Sequence, residues 1–192
     1  MSEIVNKIKY AMSLRTPQEE ALSYLDAISS HCDYKKDSKD DIEAAASEYC
    51  EKQRKVKAGF EFPSFCYAMA TGIGKTRLMG ASIYYLYKTK GYKHFFILAP
   101  GNTIYDKLRK ESNPNHPKYI FKGLEAEMGR PKVYDGENYD TYPIKYDQMT
   151  LIVEKTSDIQ LFIFNIGKIF NSKTDTQFNF HKFKENAGRF LC

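Results

Sequence analysis

Several features that would place a protein in a class at once are scarce or missing from this sequence. The four cysteines are scattered, form no CxxC pair and show no Cys/His spacing suited to zinc, which excludes a zinc module or a disulfide scaffold. The first ten residues mix charges with Ile and Val, so no signal peptide is indicated. The longest apolar runs, such as residues 159–166, are too short to cross a bilayer. These absences predict a reduced, cytoplasmic protein without a membrane partner.

A strong charge of one sign is also missing. The chain has 192 residues, with 29 basic and 24 acidic side chains and a formal charge of +5. Residues 1–60 hold 10 of the basic and 11 of the acidic residues, so the basic excess lies entirely in residues 61–192. An attraction for phosphate would therefore belong to the later part of the chain, although a solvated basic face would have the same composition.

Residues 1–58 have a helical pattern. Apolar residues recur there at helical spacing, namely Ile4, Val5, Ile8, Ala11 and Met12. Thr16 followed by Pro17, with Glu19 three residues after Thr16, predicts a helix that begins with a capping box. A charged stretch at 33–41 precedes a further predicted helix at 41–57. We therefore predict a helical N-terminal region over residues 1–58.

From Gly59 onward, short apolar segments alternate with helical ones. The predicted strands are 65–69, 93–100, 149–153 and 160–166. The predicted helices are 77–88, 103–110 and 120–128, with a loop at 112–117 and a turn at 155–158. Strands that alternate with helices are typical of a parallel sheet with crossover helices, so residues 59–192 are predicted to be α/β.

The clearest chemical signal is the string Met-Ala-Thr-Gly-Ile-Gly-Lys-Thr at residues 69–76, between a predicted strand and a predicted helix. Gly72 and Gly74 allow backbone angles and close approaches that a Cβ would obstruct. Successive N–H groups can then surround phosphates at the positive end of the helix. Lys75 would reach the β- and γ-phosphates, and the Thr76 hydroxyl would ligate Mg²⁺. Met69 stands where the general phosphate-binding loop has Gly, and a chance turn is the alternative.

This form of the motif resembles motif I of superfamily 2 helicases and translocases, and more closely that of the Res subunit of type III restriction enzymes. Leu14-Arg15-Thr16-Pro17-Gln18 resembles the Leu-Arg-x-Pro-Gln segment of that family, in which the Gln reads adenine. Residues 96–103 resemble motif Ia, and residues 162–168 resemble a later strand that ends in a DNA-facing loop. The resemblance implies contacts with the nucleic-acid backbone by Pro100, Gly101, Asn102, Thr103 and Asn165.

The resemblance also implies the fold, the cofactors and the partners. It implies a RecA-like P-loop NTPase sheet in a bacterial cytoplasmic enzyme that uses ATP and Mg²⁺. Gln18 would bind the base, and Lys75 would be the catalytic cation. The backbone of the loop and the metal-binding hydroxyl would be supplied by Thr71, Gly72, Ile73, Gly74, Lys75 and Thr76. The expected partners are duplex DNA and a DNA-methylating modification subunit.

Some parts of a complete motor are absent from the sequence. We find no apolar strand that ends in an Asp-Glu pair, no arginine-rich motif of a second motor domain and no nuclease carboxylate cluster. Residues 59–192 are therefore expected to be the first part of motor domain 1, truncated before the Asp-Glu box. The parent enzyme would hydrolyse ATP, translocate on DNA and cut it, whereas this chain alone would be inactive. The alternatives are another DNA-dependent superfamily 2 helicase, a stand-alone P-loop nucleotide-binding protein and a non-enzymatic interaction domain.

Overall fold

The computed structural model describes residues 2–31, 66–138 and 156–167, together with positions 40, 41 and 44. The chain divides into two compact units, Met1–Tyr85 and Leu86–Cys192. Among the described residues, no helix has the length and apolar character needed to cross a membrane. The predicted helix at 41–57, the predicted strand at 149–153 and the predicted domain boundary between residues 58 and 59 lie largely or wholly outside the described residues.

The first unit begins with two packed helices, α1 (Glu3–Met12) and α2 (Thr16–His31). Helix α1 buries Val5, Ile8 and Met12, which confirms the predicted helical spacing. Helix α2 buries a matching set, Ala21, Leu22, Leu25 and Ile28. Burial of these two apolar faces stabilises the helix pair, because each fully buried aliphatic side chain adds about 1.5–3 kcal/mol.

The predicted capping box of α2 is wrong by one residue. The backbone carbonyl of Arg15 accepts the first bonds of the helix, from the N–H groups of Gln18 and Glu19, so Arg15 is the N-cap. The Oε1 atom of Gln18 accepts a bond of 2.8 Å from the Arg15 N–H, which is the return bond of a capping box. The carboxylate of Glu19 binds the ammonium of Lys9 in α1 instead. The return bond comes from Gln18 because, with Arg15 as the N-cap, Gln18 occupies the third position of the helix.

Helix α3 (Lys75–Lys90) follows the glycine-rich loop and begins two residues before the predicted helix. The predicted strand at 65–69 is not present over its described residues, because 66–70 has no regular secondary structure. A strand needs a hydrogen-bonded partner, and none of the three described strands pairs with this segment. Cys66, Ala68 and Ala70 are exposed rather than buried.

The second unit contains a three-stranded parallel sheet. Its strands are β1 (His94–Ala99), β2 (Arg130–Asp135) and β3 (Thr156–Asn165), in the spatial order β1-β3-β2. Helix α4 (Asn102–Glu111) and the short helix α5 (Glu125–Met128) lie between β1 and β2 in the chain. The central strand β3 is the most buried, as expected for a strand with a neighbour on each side. The α/β prediction, an incomplete RecA-like sheet, is confirmed.

Three local predictions in this unit need correction. Strand β2 was not predicted, because Pro131 and the flanking charges hide the short Val133-Tyr134 pattern. The turn predicted at 155–158 is the start of β3, where the register with β2 shifts between Arg130 and Lys132. The helix predicted at 120–128 is limited to α5, because Gly123 has a left-handed φ of 99° that interrupts it.

The strand register decides which loops meet. Ala99 of β1 pairs with Asn165 of β3, so the last residues of these neighbouring strands lie side by side. Asp135 of β2 pairs with Ile163, two residues before the end of β3. The carboxyl ends of all three strands therefore form one edge of the sheet, the position where open α/β sheets bind ligands.

Candidate functional site

The loop at 69–76 has the backbone conformation that its glycines permit. Gly72 and Gly74 have φ values of 82° and 94°, in the left-handed region that other residues rarely adopt. Thr71, Gly72 and Lys75 are exposed, and Ile73, Gly74 and Thr76 are half-buried. The six residues predicted to bind phosphate thus form one accessible turn at the start of α3.

The first peptide groups of α3 are available to a ligand. The Gly74 carbonyl accepts bonds from the N–H groups of Arg77 and Leu78, so Gly74 is the N-cap of this 16-residue helix. The N–H groups that precede Arg77 have no carbonyl partner within the helix, as at every helix start. The helix dipole adds positive potential at the N-terminus of α3, and this potential stabilises an anion such as a phosphate.

Gln18 is packed against this loop. It is 2% exposed, and its Nε2 atom donates bonds of 3.0 Å to the Ile73 carbonyl and 2.9 Å to the Gly74 carbonyl. The Arg15 N–H occupies its Oε1 atom. The structure therefore places Gln18 beside the loop at 69–76, 55 residues from Ile73 in sequence, and its contact with adenine stays a prediction.

A second contact joins α3 to α1. The Arg77 guanidinium donates through Nε and Nη2 to the Met12 carbonyl, with 2.7 Å between Nε and that oxygen. The Met12 carbonyl belongs to the last turn of α1, where carbonyls lack partners within the helix. The start of α3 is thus held by two side-chain contacts, Gln18 on the loop and Arg77 on α1.

The loop offers hydrogen-bond donors rather than carboxylates to a ligand. The two glycine conformations leave room for close approach, and the Lys75 side chain is exposed at the same turn. Among the described residues, no group of three or more His, Cys, Asp or Glu side chains could hold a metal ion. A magnesium ion here would be held by the Thr76 hydroxyl and by the oxygens of the phosphates it accompanies.

The predicted nucleic-acid residues lie at the carboxyl edge of the sheet in the second unit. Asn165 is 7% exposed, and its Nδ2 atom donates a bond of 2.6 Å to Oδ1 of Asn102. Its Oδ1 atom accepts a bond of 2.8 Å from the Gly167 N–H. The structure thus brings together two residues, from separate segments, that were predicted to contact the nucleic-acid backbone. Their contact with nucleic acid stays a prediction.

The surface beside this pair is exposed and mixed in character. Pro100, Asn102 and Thr103 are exposed, and Gly101 has an extended backbone and is the N-cap of α4. Ile104 and Ile166 are exposed by 45% and 37%. A cavity of about 610 Å³ lies beside Thr103. Its lining residues are Thr103, Asp106, Lys107, Lys110, Glu111, His116, Pro117 and Lys118. Three of its eight lining residues are lysines and two, Asp106 and Glu111, are carboxylates, so the lining has only a small excess of positive charge.

Sequence reasoning missed an acidic pair at the end of β2. Arg109 of α4 donates to Asp135 over 2.6 Å and makes a bidentate bond to Glu137 at 2.7 and 2.8 Å. The hydrogen bond with Glu137 raises the pKa of Arg109 above its ordinary value. These carboxylates are engaged by a guanidinium, so they fix α4 to the sheet instead of supplying a metal site. The Asp-x-Glu spacing after Val133-Tyr134 was the only signal in the sequence.

A glycine-rich loop at a helix start and a parallel sheet with crossover helices define a P-loop NTPase of the RecA-like class. The family model "Type III restriction enzyme, res subunit" matches residues 11–190. The chain belongs to this family, which confirms the resemblance seen in the sequence.

A curated relative is similar to a short part of this chain. A stretch of 54 residues is 44% identical to the "Probable type III restriction-modification enzyme HindVIP Res subunit" of Haemophilus influenzae. The alignment covers 28% of this chain and 10% of that relative, so the shared part is a small portion of the curated protein. No solved structure matches the chain.

Proposed function

We propose that the loop at 69–76 binds the triphosphate of ATP together with Mg²⁺. The observation that carries this proposal is the pair of left-handed glycines, Gly72 and Gly74, at the start of the 16-residue helix α3. The N–H groups of 71–76 would surround the phosphates, Lys75 would neutralise their charge and Thr76 would ligate the metal. Gln18 belongs to the same nucleotide site, since its amide bonds the carbonyls of Ile73 and Gly74.

Binding and hydrolysis make different demands on the chain. Hydrolysis needs a carboxylate that activates the attacking water and another that holds the metal. The sequence has no Asp-Glu pair after an apolar strand, and Asp135 and Glu137 are bonded to Arg109. We therefore expect this chain to bind nucleotide and to hydrolyse none above the rate of a Lys75→Ala variant.

The edge of the second unit would contact the backbone of duplex DNA through residues 100–103 and Asn165. The bond between Asn102 and Asn165 supports this assignment, because it holds the two loops at one place on the sheet edge. The neighbouring cavity adds a small positive excess, with three lysines against two carboxylates. Phosphate contacts of this kind weaken steeply with added salt, so binding should fall between about 50 and 200 mM salt.

The activities of the complete enzyme are part of the same proposal. The res-subunit family implies an ATP-dependent helicase-like enzyme of a restriction-modification system. We propose that the whole protein couples ATP hydrolysis to translocation on duplex DNA and to DNA cleavage. We also propose that it assembles with a DNA-methylating modification subunit in the bacterial cytoplasm.

The first test is the melting temperature with and without Mg-ATP. A ligand at 100 times its dissociation constant stabilises a protein by about 2.7 kcal/mol, which is a shift of several degrees at this size. We expect that shift in the wild-type chain and its loss in Lys75→Ala. Lys88→Ala is the matched control, because Lys88 lies in the last turn of the same helix.

Each result has a distinct meaning. A shift in the wild type and in Lys88→Ala, but not in Lys75→Ala, would establish a phosphate site at the start of α3. A shift of the melting temperature that is also seen in Lys75→Ala would mean that the nucleotide binds at another surface of the protein. No shift in any of the three proteins would reject nucleotide binding by this chain.

A further inference from the structure

We propose that the cavity beside Thr103 binds a guanine nucleotide and that Glu111 reads the base. Five of its eight lining residues belong to α4 and the other three are residues 116–118, so we call it the α4 cavity. All of them lie in the second unit, and the inference therefore does not depend on the proposed nucleotide site at 69–76. The volume of about 610 Å³ is within the range of small-molecule sites.

The buried carboxylate of Glu111 carries the inference. Glu111 is 5% exposed and lines the cavity as the last residue of α4. Among the residues that the structure describes, this carboxylate has no hydrogen bond, and its ionic neighbour is Lys107, whose Nζ atom lies 3.9 Å from Oε1. A buried carboxylate is costly unless donors satisfy it, and the dipole at a helix C-terminus adds to that cost. A ligand that brings donors into the cavity would therefore be stabilised.

Glu111 and Lys107 together match one edge of guanine. That edge carries the O6 acceptor and the N1–H and N2–H₂ donors side by side. The two oxygens of Glu111 can accept from N1 and N2, and the ammonium of Lys107 can donate to O6. The 3.9 Å between Nζ and Oε1 is too long for a hydrogen bond, but it suits two groups that bind neighbouring atoms of one base. Adenine has one donor group on this edge and no oxygen, so it cannot make all three contacts.

The remaining polar groups of the cavity fit the rest of a nucleotide. Lys110 and Lys118 supply positive charge for a phosphate. The Nδ1 atom of His116 accepts a bond of 3.1 Å from the Lys118 N–H, so the neutral ring carries its proton on Nε2 as a further donor. Asp106 can accept from ribose hydroxyls, as carboxylates do in dinucleotide sites. This mixed lining suits a ligand that has both donors and negative charge, rather than a simple anion.

The α4 cavity is formed before a ligand arrives, because short-range bonds fix its walls. The Ile120 N–H donates to the Glu111 carbonyl over 2.8 Å, which returns the chain to the end of α4. The His116 N–H donates to the Asn113 carbonyl over 2.9 Å, and Oδ1 of Asn113 accepts from the Asn115 N–H over 2.9 Å. Walls that are already fixed reduce the entropy that ligand binding must cost.

The test compares GMP, IMP and AMP by calorimetry on the 192-residue wild-type chain and on Lys75→Ala, whose loop at 69–76 lacks its cation. IMP lacks only the N2 amino group of guanine, so it loses one of the two bonds to Glu111. In both proteins we expect GMP to bind about tenfold more tightly than IMP, and AMP to bind more weakly than IMP. Equal affinities for the three nucleotides would mean that phosphate alone is recognised and would overturn the inference.

A substitution of Glu111 separates recognition of the base from recognition of the phosphate. Glu111→Gln keeps the shape of the side chain and replaces one acceptor oxygen by a donor. We expect its affinity for GMP to fall by about tenfold and its preference for GMP over IMP to be lost. Glu125→Gln changes an exposed glutamate outside the cavity and should bind GMP as the wild type does. Unchanged GMP binding in Glu111→Gln would contradict the role of Glu111.

A free nucleotide and an unpaired guanine in a nucleic-acid strand carry the same base edge. Single-stranded pentathymidylates with a central guanine or a central inosine distinguish these two sources. Tighter binding of GMP than of the guanine oligonucleotide would assign the cavity to a free nucleotide, and the reverse would assign it to a strand. Either result supports recognition of guanine, provided that the guanine ligand binds more tightly than its inosine counterpart.

A second measurement needs no variant to fold. In amide NMR spectra of the wild-type chain, GMP should shift the signals of Glu111, His116 and Lys118 and leave those of Gly74 and Lys75 unchanged. Shifts confined to Gly74 and Lys75 would mean that GMP binds at the loop, and they would overturn the inference. An absence of any shift would overturn it too, whereas the effect of Mg-ATP on the melting temperature would still test the loop separately.

Discussion

The glycine-rich loop at 69–76 and the sheet edge formed by 100–103 and Asn165 carry polar groups in two different ways. The loop presents backbone N–H groups, and one side chain from a distant helix holds its carbonyls in place. The edge carries two asparagine side chains, the exposed Asn102 and the buried Asn165, which are joined by a bond of 2.6 Å. In the first region the ligand would meet the main chain, and in the second it would meet side chains whose positions depend on strand register.

This difference decides how each region tolerates change. A loop built from backbone geometry depends on residues without a side chain, so adding a single carbon can disrupt it. An edge built from side chains depends on the bonds between them, which are worth about 1 kcal/mol each. The comparison therefore predicts that backbone substitutions in the loop have larger effects than side-chain truncations at the edge.

The sharpest test within the loop is a pair of glycine substitutions. Both Gly72 and Gly74 have positive φ, which costs alanine about 1–2 kcal/mol. A Cβ on Gly74 would also meet Gln18, whereas one on Gly72 has no atom within 4 Å. In urea unfolding, we expect Gly74→Ala to lower the free energy of unfolding by about 3 kcal/mol and Gly72→Ala to lower it by about 1 kcal/mol. Equal losses would mean that Gln18 does not support the loop.

The fixation of α4 to the sheet gives the next largest effect. Arg109→Ala removes the partner of Asp135, whose side chain is 9% exposed, and leaves a buried carboxylate unpaired. We expect a loss of about 2 kcal/mol in unfolding free energy, below the range for fully buried pairs because Glu137 is exposed. Lys110→Ala, on the adjacent exposed residue, is the control. An Arg109→Ala variant as stable as that control would show that this ion pair contributes nothing.

Truncation of the asparagine pair should have a smaller and unequal effect. Asn165 is buried and bonds both Asn102 and the Gly167 N–H, whereas Asn102 is exposed. In chemical denaturation, we expect Asn165→Ala to lower the free energy of unfolding by about 1–2 kcal/mol and Asn102→Ala to lower it by less than about 1 kcal/mol. Both variants should weaken duplex DNA binding in fluorescence anisotropy at low salt. Unchanged DNA binding in both variants would show that this edge of the sheet does not contact DNA.

The last expected effect is absent at neutral pH and appears only as a dependence on high pH in the segment before the loop. Burial raises the pKa of Tyr67 to about 12, above its ordinary value of 10.0. The folded state holds this proton more tightly than the unfolded state, so the stabilisation is complete below pH 10 and is lost as the pH rises toward 12. Unfolding free energies measured from pH 8 to pH 12 should fall faster for the wild type than for Tyr67→Phe. Parallel curves would show that Tyr67 is solvated.

Much of the fold was predictable where the signal is local. The spacing of Val5, Ile8 and Met12 predicted the buried face of α1, and the strand predicted at 160–166 contains the larger part of β3. Strand β2 escaped prediction because it is short and contains Pro131, and it is stabilised by pairing with β3 rather than by its own propensity. The strand predicted at 65–69 failed for the complementary reason, since its described residues, 66–69, pair with none of the three described strands.

The sequence by itself determined the groups that the candidate site offers: two glycines free to adopt positive φ, a lysine and a threonine at a helix start, and the family to which the chain belongs. These follow from contiguous residues, whose conformation depends on their own chemistry. Only the tertiary structure decided that Gln18 bonds the loop across 55 residues and that Asn102 meets Asn165 across 63. Such contacts depend on helix packing and strand register, which are set by burial of apolar surface over the whole unit and leave no local pattern at the residues they join.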